Sequence, residues 1–144
     1  MLARQGHRLL QLGVALLLFT SFEGFAIPHL AGPLVGRTAH SLAALEALLL
    51  LALGIVWPRL ELGNTAARIA FAFLIYSSLA ILAAYLLAAI WGAGGSTIPL
   101  TGAALGTAFQ ETTIAAVAYS SAPTGIISFA LILWGLRSAP NSVA

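Results

Sequence analysis

The chain has 144 residues, of which 60% are hydrophobic and 7% charged, and its mean hydropathy is +1.02. Soluble domains carry about 25% charged residues, so a soluble globular domain is excluded and an all-α integral membrane protein is expected. The formal charge of +2 comes from arginines scattered along the chain. No basic cluster exists to meet nucleic acid, and the absence of cysteine excludes disulfides, thiolate metal sites, cysteine nucleophiles and C-x-x-C-H haem attachment.

Runs of roughly 20 apolar residues mark membrane helices. The first is expected over 9–27, preceded by Arg4 and Arg8, with Glu23 near its end and followed by Gly24, a position from which the carboxylate reaches the interface. A removable signal peptide is the rival reading of this segment, but Glu23 occupies the would-be cleavage region and no A-x-A-like site follows. Pro28 and Gly32-Pro33 then break the chain.

The second span is expected over 38–57 and ends at Trp57-Pro58. His40 lies near its start, with Gly36, Ala43, Ala44 and Ala47 on the same side of the helix, small enough to admit a flat ligand or a second helix. Glu46 follows six residues later, about 120° round the helix. It cannot pair with His40 in one helix and must look towards a different neighbour, although the two can line one cavity from different subunits.

The third span, 66–91, carries Tyr76 and Tyr85 on opposite faces, with Ser78 on the side of Tyr85. Gly92-Ala93-Gly94-Gly95 and Pro99 separate it from the last, which lies within 104–136. There, Thr107, Gln110, Glu111, Thr113 and Ser121 are too polar for lipid and are expected to face inward, and Pro123 is expected to kink or locally open the helix. One four-helix bundle domain over 1–144 follows. Five of the six arginines fall on one side of it and only Arg37 on the other, which puts both termini in the cytoplasm. Trp57, Trp91 and Trp134, near span ends, are expected to anchor at the interface.

A carboxylate inside a membrane span is costly unless it is protonated, paired or faces a polar cavity, so Glu46, Glu111 and the nearby His40 are candidate functional groups. The plainer alternatives stay open: His40 as an interfacial helix-capping histidine, Glu46 and Glu111 as structural carboxylates. His7 and His29 read as loop residues. No Ser/His/Asp arrangement, H-E-x-x-H motif, phosphate loop or G-x-G-x-x-G is present.

Several blocks carry a family resemblance. They are 33–40 (Pro-Leu-Val-Gly-Arg-Thr-Ala-His), 52–60 (Ala-Leu-Gly-Ile-Val-Trp-Pro-Arg-Leu), 87–95 (Leu-Ala-Ala-Ile-Trp-Gly-Ala-Gly-Gly), 106–111 (Gly-Thr-Ala-Phe-Gln-Glu) and 133–137 (Leu-Trp-Gly-Leu-Arg). In this order the chain resembles the hydroxylaminobenzene mutases. Styrene oxide isomerase is a more distant likeness, through Ala39-His40-Ser41 near the start of the second span. The resemblance implies an intramolecular isomerase in a bacterial inner membrane, acting on a small aromatic substrate. A mutase turns an arylhydroxylamine into a 2-aminophenol; the isomerase turns an aryl epoxide into an aldehyde. It further implies a homotrimer with haem b held noncovalently, the iron acting as a Lewis acid and His40 as both its cofactor-binding residue and metal ligand. Glu46, Tyr76, Tyr85, Gln110 and Glu111 are then the candidate catalytic residues.

The chain departs from that pattern in two places. Glu46 stands six residues after the histidine, where the relatives carry asparagine, and an ionised carboxylate cannot donate a hydrogen bond as an amide does. An acidic or amide group near a tyrosine in the third span has no match in 76–81. Two other classes stay in view: a small proton-coupled multidrug exporter, which also has four spans and a glutamate in its first helix, and a non-catalytic membrane protein.

Overall fold

The computed structural model describes residues 1–137, and all its regular structure there is helical. Residues 138–144, the last of the expected domain, lie outside the described residues. Among the described residues, four helices are long and apolar enough to cross a membrane: α1 (Leu2–Ala26), α2 (Pro33–Val56), α3 (Asn64–Trp91) and α4 (Ala108–Leu136).

The boundaries follow local chemistry. Helix α2 starts at Pro33, earlier than hydropathy indicates, because a proline in the first turn forfeits no intrahelical hydrogen bond. Helix α1 begins at Leu2, extending the expected span by carrying Arg4 and Arg8 exposed on its surface. Helix α4 begins later than the apolar run, after Thr107, whose hydroxyl accepts from Gln110 N at 3.3 Å while Gln110 Oε1 accepts from Thr107 N at 2.9 Å. This is a reciprocal capping box. The α4 helix continues through Pro123, beside which Thr124 Oγ1 donates to Ser121 O at 2.9 Å.

The helices pack in chain order, α1 on α2, α2 on α3 and α3 on α4. Two physical devices hold the outer pairs. Between α1 and α2 the backbones nearly touch: a Cβ added at Gly6 would lie 2.7 Å from Gly54 O, and one at Gly13 would lie 2.9 Å from Ala47 O. Small residues permit this approach, and the dispersion contact it brings is a main attraction between helices in lipid. Between α3 and α4 the link is made by hydroxyls. Ser128 Oγ donates to Ala70 O at 2.8 Å and Ser77 Oγ to Ser121 O at 2.9 Å, the latter over Gly125, where a Cβ would lie 2.7 Å from Ser77 Oγ.

At the end that holds the N-terminus and the α2–α3 turn, Trp57 is fully buried and donates through Nε1 to Gln5 Oε1 at 3.2 Å, while Gln5 Nε2 donates to Ala67 O at 3.3 Å. Trp57 is therefore a core residue and not the interfacial anchor expected of it. The short turn Trp57–Arg59 tucks the indole between α1 and α3, against the edge of Phe71, and Gln5 satisfies its N–H. Trp134 is exposed, as an anchor would be, with the Arg137 guanidinium 3.3 Å above its ring.

The α1–α2 contact makes a direct prediction. Gly6→Ala forces the two backbones apart and is expected to lower stability by about 1–3 kcal/mol, read as a lower thermal midpoint in detergent. Gly63→Ala, where the added carbon meets open space, is expected to change it much less.

Candidate active site

The antiparallel α1–α2 register that pairs Gly6 with Gly54 and Gly13 with Ala47 brings Glu23 of α1 level with His40 of α2 at the opposite end of the hairpin. Glu23 Oε2 lies 2.8 Å from His40 Nδ1. The carboxylate side chain is only 6% exposed, whereas the imidazole is 39% exposed. Gly24 makes room for the ring, since a Cβ there would sit 3.2 Å from His40 Cε1. Glu23 Oε1 is buried with no hydrogen-bond partner, so His40 is the carboxylate's one donor among the described residues. The expectation that Glu23 reaches the interface is corrected: the hairpin turns it onto the neighbouring helix instead.

Glu46 faces elsewhere, as its angle from His40 requires. Val35 packs with Ala88 and Ala89 of α3, and Glu46, about three helical turns further on, returns to that same face. Counting the same distance back along antiparallel α3 reaches Ser77 and Ser78, so Glu46 stands at their level on the α2–α3 seam. Its Oε2 is buried without a hydrogen-bond partner among the described residues. Ser78 is buried, and Tyr85, on the same side of α3, packs into the Val35 cluster. Helix α2 thus carries His40 towards α1 and Glu46 towards α3.

The remaining candidates have other partners. Tyr76 is exposed and donates to Ser120 Oγ of α4 at 2.8 Å, so Tyr85 is the tyrosine that faces the α2–α3 seam. The side-chain oxygen of Gln110 closes the capping box. Glu111, in the first turn of α4, gathers the loop between α3 and α4: Gly94 N and Gly106 N each donate to Oε1 at 2.7 Å, Ser96 N donates to Oε2 at 3.1 Å, and Ser96 Oγ donates to the same oxygen. Gly94 adopts φ +105, a conformation that suits glycine and aims its N–H at the carboxylate. Thr107, Gln110 and Glu111 therefore shape the loop, and the structure brings none of them to His40.

Two cavities of about 410 and 400 Å³ open beside Trp134 at the far end from His40, so cavity size does not locate the site. A smaller one of about 150 Å³ lies at the His40 end, between Ala31–Val35 and the loop residues Gly92, Gly102, Ala103 and Ala104. Among the described residues no three His, Asp or Glu side chains cluster as a metal-ligand set. Sequence reasoning missed the pairing of Glu23 with His40. The signal lay in the short 27–32 connection and the glycines at 6, 13 and 54, which together set the hairpin register.

The family model described as styrene oxide isomerase matches residues 5–137. Hydroxylaminobenzene mutase HabB of Ectopseudomonas oleovorans is 47% identical over 135 residues, covering 93% of this chain and 82% of the relative. Hydroxylaminobenzene mutase HabA of the same organism is 29% identical over 125 residues, 86% of this chain and 93% of the relative. No solved structure matches. With nearly all of the four helices inside the matched region, the chain belongs to the styrene oxide isomerase family.

Proposed function

We propose that the protein is a membrane-embedded mutase that converts an arylhydroxylamine into a 2-aminophenol, working as a homotrimer in a bacterial inner membrane with both termini in the cytoplasm. Identity to a hydroxylaminobenzene mutase over most of both chains carries this reading. The lipid setting is supported by the four apolar helices and by the large apolar side chains they expose, among them Phe22, Leu45, Leu48 and Leu133.

The residues at His40 fit a haem. Nδ1 is engaged by Glu23, Nε2 makes no hydrogen bond among the described residues, the ring is partly exposed, and Gly24 makes room for it beside α1. A single imidazole nitrogen is a common axial ligand, and a cysteine-free chain can hold haem b only noncovalently. Bound there, ferric haem would supply a Lewis acid for the substrate oxygen. The exposure of the imidazole on the α1–α2 side favours a ligand shared with a neighbouring copy, which is the support for the trimer.

The chain's own residues have distinct tasks in this reading. His40 offers Nε2 and Glu23 holds the ring. The rearrangement breaks the N–O bond, forms a C–O bond at the ortho carbon and transfers a proton from that carbon to nitrogen. A carboxylate that accepts a proton and returns it completes the balance; Glu46, with a buried oxygen unpartnered among the described residues, is the group for it where the trimer brings the α2–α3 face of one copy to His40 of the next. The Tyr85 phenol can donate to the substrate oxygen, while the apolar helices exclude the water that would capture a cationic intermediate. Gln110, Glu111 and Tyr76 keep the loop and α4 in place.

Isomerisation of an aryl epoxide to an aldehyde is the second reading, favoured by the family model that matches the chain. An exporter needs a carboxylate free to exchange protons in the first helix, and the engagement of Glu23 by His40 weighs against it.

Purified, haem-supplemented protein is expected to convert phenylhydroxylamine to 2-aminophenol, and His40→Ala to lose at least about 100-fold in turnover, in line with removal of a group essential to the chemistry. Conversion of styrene oxide alone would favour the second reading, and no turnover of either would reject both. A second variant separates stability from function. A buried acceptor left without a donor costs about 1–3 kcal/mol, so Glu46→Leu is expected to raise the thermal midpoint while abolishing turnover. A destabilised but active Glu46→Leu protein would show that Glu46 is structural.

A further inference from the structure

The Glu23–His40 contact has a chemical consequence beyond placing a ring in space. An imidazole offers one lone pair when neutral, and which nitrogen carries it depends on where the proton sits. Glu23 Oε2 lies 2.8 Å from Nδ1 and the other carboxylate oxygen is buried with no partner among the described residues. A carboxylate oxygen accepts from an imidazole N–H, so this contact is filled when Nδ1 carries the hydrogen, whereas an O–H on Oε2 would donate to Nδ1 instead. With Glu23 buried in the seam and Gly24 leaving the ring no side chain to lean on, the carboxylate is the group that sets this choice.

We propose that Glu23 is a positioning residue for His40, fixing the imidazole as its Nδ1–H tautomer so that the partly exposed Nε2 carries the lone pair offered to a ligand. The pairing stands on the geometry alone and the tautomer on the pairing together with a carboxylate acting as acceptor; that the ligand is haem iron rests on the proposed function. A carboxylate behind a metal-bound histidine raises the basicity of the ligating nitrogen. Greater donation from the axial ligand stabilises ferric over ferrous iron, which is the state a Lewis-acid role requires. Glu23 touches neither substrate nor iron in this scheme and acts through His40.

The test uses the full-length chain, labelled with ¹⁵N at the histidine ring nitrogens, in detergent. The signals of His40 are identified by their loss in His40→Ala, which separates them from those of His7 and His29. Without haem, the wild type is expected to show a protonated Nδ1 and an unprotonated Nε2. Glu23→Leu should shift His40 to a mixture dominated by the Nε2–H form, and Glu23→Gln, which keeps an acceptor oxygen, should restore the Nδ1–H form. With haem added, Glu23→Leu is expected to bind about 10- to 100-fold more weakly. Glu23→Gln should bind but with a reduction potential shifted positive of the wild type, a change that a merely structural role would not produce.

An Nε2–H tautomer or an imidazolium in the wild type would overturn the proposal. So would a tautomer unchanged in a folded Glu23→Leu protein. A wild type with the Nδ1–H form that takes up no haem would instead overturn the haem reading and leave the pairing standing, so the two failures are distinguishable.

Discussion

Backbone contact between the first two helices is the constraint on which the rest depends. At Gly6 with Gly54 and at Gly13 with Ala47, an added carbon would meet a carbonyl oxygen of the other helix within 3 Å. A contact this close tolerates little sliding. Displacement by one helical turn would move Glu23 about 5.4 Å along the axis from His40, and a hydrogen bond does not survive that distance. The register of the hairpin therefore sets the pairing of Glu23 with His40.

The polar groups of the protein sort by whether their bonding capacity is filled. Glu111 receives donors on both oxygens, Gln110 closes a capping box, and Tyr76, Ser77 and Ser128 bind α4 to α3. These groups hold architecture, and in a low-dielectric surrounding their full satisfaction is what makes them tolerable. Among the described residues Glu23 and Glu46 each keep one buried oxygen without a partner, and His40 keeps Nε2. Unfilled capacity in an interior is costly and persists where something else uses it. All three lie on or against α2, so the proposed function centres on that helix, with α1 packed behind its histidine and Tyr85 of α3 on the facing seam.

Much of this was legible in the residues. Hydropathy located four spans because the length of a membrane helix is fixed by the bilayer, and Pro28, Pro58, Pro99 and the Gly92–Gly95 run punctuated them where the structure turns. The angle between His40 and Glu46 followed from helix geometry and holds. What stayed hidden depended on pairing between helices. Glu23 looked interfacial because its place in a hairpin is invisible to hydropathy, and Trp57 looked like an anchor because only the tertiary arrangement supplies Gln5 to its indole N–H. The polar start of the fourth span read as a buried stripe, yet Thr107, Gln110 and Glu111 serve a loop, since backbone donors in that loop have no sequence signature of their own.

The account turns on His40 as the point where a ligand is held. An absorption spectrum of the detergent-purified, haem-supplemented protein, wild type beside His40→Ala, tests that most directly. A Soret band in the wild type that is absent from the variant is the predicted result. A colourless wild type, or a band of equal strength in both, would contradict it.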